Sequence, residues 1–141
     1  MTERFRVPIS LELPRVFYDT SSRDFNGPPY WSCPISRLEI IAPISRKVLS
    51  IGKGTVEKIW GPEEIWRGGI YRNEDHSKSS LLIRYPEHYG YFSHIDSQLN
   101  VGNKVIPGQH IGIFTKEHLH LDLCNPDNPL ELKPAYFERP D

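Results

Sequence analysis

Short apolar runs and turns alternate along most of the chain. Leu38–Ala42, Lys47–Ile51, Thr55–Trp60, Ile65–Tyr71, Ser80–Tyr85, Gly90–Ile95, Gln109–Phe114 and His118–Cys124 each read as a β-strand, bounded by Gly, Pro, Asn or Asp. No window sustains the period of about 3.6 residues that marks an amphipathic helix. The pattern predicts an all-β fold, an antiparallel β-sandwich or barrel. The clearest signal is His118-Leu119-His120-Leu121-Asp122-Leu123, which alternates without a break. A strand there sends the three leucines to the core and His118, His120 and Asp122 to the other face. The two imidazoles then lie roughly 7 Å apart along the strand.

Residues 1–36 follow a different pattern. Pro8, Pro14, Pro28, Pro29 and Pro34 interrupt polar stretches, leaving one short candidate strand at Arg15–Tyr18. The chain is therefore expected to be an irregular N-terminal arm, 1–36, followed by a β domain, 37–141.

At 141 residues the chain is one domain's worth of sequence. It has 17 Lys plus Arg against 18 Asp plus Glu, a net charge of -1. That balance argues against a basic nucleic-acid binder and against an acidic disordered chain. The 13 prolines and 10 glycines fit many turns and few helices. No apolar run of about 18 residues suggests a membrane span. The opening Met1-Thr2-Glu3-Arg4-Phe5-Arg6 lacks a signal-peptide core, so a cytoplasmic location is the default unless another route delivers the protein. Two cysteines, Cys33 and Cys124, are too few for a disulfide scaffold and read as two free thiols, one bridge or a metal ligand. A monomer is the default oligomeric state.

Six histidines occur. His76 falls in a polar turn and reads as solvated, His88 in a hairpin turn, and His110 as an outward strand residue. His94 ends the aromatic run Gly90-Tyr91-Phe92-Ser93, where a side chain can point into a groove. From the residues alone, His94, His118 and His120 could share a metal, divide ligand and base roles, or serve no chemistry. Asp122 is expected as a solvated partner for a nearby His or Lys.

Three segments carry a resemblance. They are Tyr91-Phe92-Ser93-His94-Ile95, then Val101-Gly102-Asn103-Lys104-Val105-Ile106-Pro107-Gly108-Gln109-His110-Ile111-Gly112, then His118-Leu119-His120-Leu121-Asp122-Leu123. In this order they resemble the lysostaphin-type (LytM-like) zinc metallopeptidases. Leu38-Glu39-Ile40-Ile41-Ala42-Pro43 and Asn128-Pro129-Leu130 resemble further segments of that family. The resemblance runs from about Leu38 to Leu130 and implies a barrel-sandwich hybrid with a groove over the sheet.

It also implies roles. His120 matches a zinc ligand, while His118 and His94 match the general base and transition-state stabiliser. Zinc would lower the pKa of its water toward ~7, and a neutral imidazole can take the proton. The family's remaining ligands form His-x-x-x-Asp. Glu39 stands at the Asp position and Ile35 at the His position. Ile35 cannot bind metal, and the substitute donors are Cys33, two residues earlier, or Asp19 or Asp24 reaching in from the arm. Thr115-Lys116-Glu117 replaces a longer segment of the family's groove.

Three functions compete on this reading. One is a divergent zinc peptidase acting on peptidoglycan peptides. Another is a degenerate pseudo-peptidase, a binding or assembly module that holds a protein partner in the groove. The third is a histidine phosphocarrier-like β domain. None calls for nucleic acid or membrane as partner.

Overall fold

The structure, a computed structural model, describes residues 4–6, 15–18, 23–24, 34–41, 46–60, 80–115 and 118–138. The expected strand Ile65–Tyr71, His76 and Cys33 lie outside these residues. The described elements are all strands. The arm contributes β1 (Arg4–Phe5), β2 (Arg15–Tyr18) and β3 (Arg23–Asp24), of which β2 is the one its sequence predicts. There follow β4 (Arg37–Ile41), β5 (Lys47–Leu49), β6 (Gly54–Trp60), β7 (Ser80–Arg84) and β8 (Tyr89–Ser93). The chain continues through β9 (Ile95–Asp96), β10 (Lys104–Val105), β11 (His110–Phe114), β12 (His118–Asn125), β13 (Asn128–Leu132) and β14 (Tyr136–Phe137).

Among the described residues, nine strands form one large sheet in the order β10-β6-β7-β8-β12-β4-β2-β3, with β13 added to β12. A second sheet has the order β5-β11-β9. Both are antiparallel throughout. The short pair β1–β14 is parallel. The fold is thus all-β and sandwich-like, with no closed barrel.

The core lies between the two main sheets. Leu119, Leu121 and Leu123 are buried there, as their alternation predicts. Leu38, Ile40, Leu81, Ile83 and Phe92 join them from neighbouring strands, and Val48, Ile111 and Phe114 come from the smaller sheet. Each such side chain contributes about 1.5–3 kcal/mol by leaving water. From the arm, Phe5 enters the same cluster and packs its ring on Tyr85 at 5.1 Å and on His88 at 5.4 Å.

Two tight turns flank β10. Asn103 N–H donates to Asn100 C=O, and Gln109 N–H donates to Ile106 C=O. Each turn carries Gly at its third position, Gly102 with φ 93° and Gly108 with φ 83°. A type II turn requires this left-handed residue, and Pro107 presets the position before Gly108.

Candidate functional site

The site is set by the centre of the large sheet. β12 runs between β8 and β4, with His120 opposite Ser93 on one side and Glu39 on the other. The row continues from Ser93 to Ser80 and from Glu39 to Phe17 of the arm. His118 occupies the position opposite Ile41, two residues along β12. Cross-strand partners share a face of a sheet, so the register gathers His120, Ser93 and Glu39 into one row.

His94 reaches the same place by a different route. It lies between β8 of the large sheet and β9 of the small one, where the chain changes sheets. Its φ is 65°, the left-handed conformation that few non-glycine residues adopt and that histidine tolerates better than most. Thr115 N–H donates to His94 C=O at 2.9 Å and ties this corner to the end of β11. The corner brings the His94 ring to 5.3 Å from the His120 ring, with 55° between their planes. Both rings are half-buried.

The same face of β12 changes character away from His120. Asp122 is only 3% exposed, not solvated as its sequence context suggests. It lies 3.7 Å from the Arg37 guanidinium, a cross-strand neighbour on β4. Tyr91, opposite Asp122 on β8, is buried, shares a hydrogen bond with Ser80 and meets Trp60 edge-on at 6.1 Å. Burial pushes the Tyr91 phenol up to about 12, with the Asp122 charge adding to the rise. Burial, then the same carboxylate, pushes the Cys124 thiol up to about 12. Polar residues at this end therefore form a second buried layer, and the face opens toward His120.

Ile35 stands apart from all of this. It is 2% exposed and belongs to the core cluster with Leu38 and Ile40. Its N–H and C=O exchange hydrogen bonds with Ala135 at 2.8 and 3.0 Å. Strict alternation would put residues 35, 37 and 39 on one face. A bend at Ser36 breaks the alternation, so Ile35 turns inward before β4 begins.

The remaining histidines have other surroundings. His110 is exposed on β11, as expected, with Nε2 2.8 Å from Gly112 C=O. His88 is in the β7–β8 turn, as expected, but fully buried, with Nε2 3.2 Å from Pro134 C=O. Among the described residues, no three His, Cys, Asp or Glu side chains stand together so as to hold a metal ion. Catalytic zinc takes three protein ligands. The imidazoles of His94 and His120 alone do not complete such a set. Sequence reasoning missed Arg37, Tyr91 and Ser93 around the histidines. Alternation could have flagged Tyr91, but Arg37 and Ser93 become neighbours only through strand register.

Two solved structures are similar to this chain in fold. One is a zinc containing peptidase from Vibrio cholerae, at TM-score 0.55 and 17% identity, matched over 99% of this chain and 41% of that one. The fold is LytM-like. The other is Helicobacter pylori Csd3, at TM-score 0.52 and 15% identity, matched over 96% of this chain and 37% of that one. The chain therefore spans about two fifths of the length of these two proteins. No protein-family model matches it, and no curated protein matches its sequence. No helix among the described residues is long and apolar enough to cross a membrane.

Proposed function

We propose that this chain is a catalytically degenerate LytM-like domain that binds an extended peptide across the His94–His120 face. The ligand class is a peptidoglycan-type peptide, as the family resemblance implies. The observation that carries the loss of hydrolysis is the placement of Ile35. The family's first metal-ligand position is held here by a core side chain bonded through its backbone to Ala135. The retained pair is suited to binding, because each imidazole can donate to or accept from a peptide group.

A second reading is a divergent zinc peptidase. It is favoured by the 5.3 Å approach of His94 to His120 and by Glu39 opposite His120.

Zinc titration of stripped wild-type and His120→Ala protein separates the two, alongside binding and cleavage assays with a cross-linked wall peptide. The degenerate domain binds no tight zinc equivalent, cleaves nothing and takes up the peptide saturably, with weaker uptake in His94→Ala and His120→Ala. One tight zinc equivalent that disappears in His120→Ala, with chelator-sensitive cleavage, would establish the peptidase instead.

A further inference from the structure

A cleft of ≈ 570 Å³ opens at the far, β10 end of the same sheet face, around β10, β6 and the end of β7. Its size is that of a small-molecule pocket. Lys53, Arg84 and Lys104 line it, with Thr55 between them and Tyr85 and Ile106 beside them. No Asp or Glu is among its lining residues. Thr55 is opposite Lys104 on one side and Arg84 on the other, so the three side chains form a row on one face. Strands are about 4.8 Å apart, which sets Lys104 and Arg84 about 10 Å from each other with the Thr55 hydroxyl midway. The Lys104 side chain is long enough to reach that hydroxyl, and Arg84, whose guanidinium rests over Tyr89 on the other side of β7, is long enough to swing across to it.

The Arg84 guanidinium lies 5.3 Å from the centre of the Tyr89 ring, its cross-strand neighbour. The Arg37–Asp122 ion pair joins β4 to β12, away from this cleft. The chain's net charge of -1 is thus unevenly spread, with three cations and no carboxylate lining this cleft. Their mutual repulsion is relieved by a multivalent anion, which also gains charge-assisted hydrogen bonds. Beside this row Ile106 is 61% exposed, an apolar surface next to the charge.

We propose that this cleft binds a phosphate-bearing small molecule, with its phosphate over Thr55 between Lys104 and Arg84 and an apolar or planar group against Ile106. The site lies on the sheet face that carries the histidines, four residues along β7 from the Ser80–Ser93–His120 row, and does not depend on the function of those histidines.

The test is a titration of the full chain, followed by amide NMR shifts, with inorganic pyrophosphate and with adenosine diphosphate. The expected result is saturable change centred on Thr55, Arg84 and Lys104, tighter for adenosine diphosphate. The double variant Lys53→Glu with Lys104→Glu, both at exposed positions, weakens binding by about tenfold or more. Thr55→Val weakens it less and serves as a second check. Three outcomes would overturn the proposal: no saturation at millimolar concentrations, affinity unchanged in the double variant, or tighter binding of single-stranded DNA with shifts extending beyond the cleft.

Discussion

Ile35 carries more of the functional argument than any histidine. Its side chain is part of the core, so its replacement is a packing event before it is a chemical one. Ile35→Ala is expected to cost about 2–5 kcal/mol, read from denaturant unfolding. Ile35→His restores the family's residue type but places an imidazole among Leu38, Ile40 and their neighbours. It is expected to lower stability comparably and to add no tight zinc binding. A well-folded Ile35→His protein that binds one zinc equivalent would show that this position turns outward. Cys33 and Ile35 were the residues on which the sequence left the metal question open. Ile35 is now accounted for by the bend at Ser36, which no alternation rule foresees.

At the scale of elements, most of the sheet was legible. Strands β4 to β8, β11 and β12 follow the apolar runs closely, because each buries one face in the core. The short strands β1, β3, β9, β10 and β14 have two residues each, too few to show a period. Glycine positions test how tightly these pieces fit. A Cβ at Gly102 would meet nothing within 4 Å, so Gly102→Ala carries only the left-handed strain of about 1–2 kcal/mol. A Cβ at Gly112 would come within 2.6 Å of Asp96 C=O and of the Ile95 side chain, where β9 packs on β11. Gly112→Ala is therefore expected to lower the melting temperature more than Gly102→Ala. Equal shifts would mean that β9 moves aside without cost.

At the scale of the whole molecule, the layer around Asp122 predicts a response to alkali. The Tyr91 phenol rises from 10.0 to about 12 in the folded protein, and the Cys124 thiol from 9.0 to about 12. Folded protein thus holds protons that the unfolded chain releases. Stability from these groups is fully present below about pH 9 and falls as pH rises toward about 12. Denaturant midpoints measured across this range should decline, and Tyr91→Phe should make the decline shallower. A flat profile would show that the layer is open to water. Cys124 should correspondingly resist alkylation at neutral pH until the protein unfolds.

The sequence by itself determined the fold class, the leucine face of β12 and the candidacy of His94, His118, His120 and Glu39. The fold class, the leucine face and the three histidines follow from local periodicity and residue chemistry, whereas Glu39 became a candidate only through the family resemblance. Tertiary structure decided what the candidates meet. The left-handed corner at His94 brings it to His120 across a change of sheet. Register sets Glu39 opposite His120, buries Asp122 beside Arg37 and lines up Lys104, Thr55 and Arg84. Register depends on which strands pair and by how much they are offset, and a shift of one residue reverses every face. That offset is fixed by contacts distant in the chain, which is why spacing within any one strand could not reveal it.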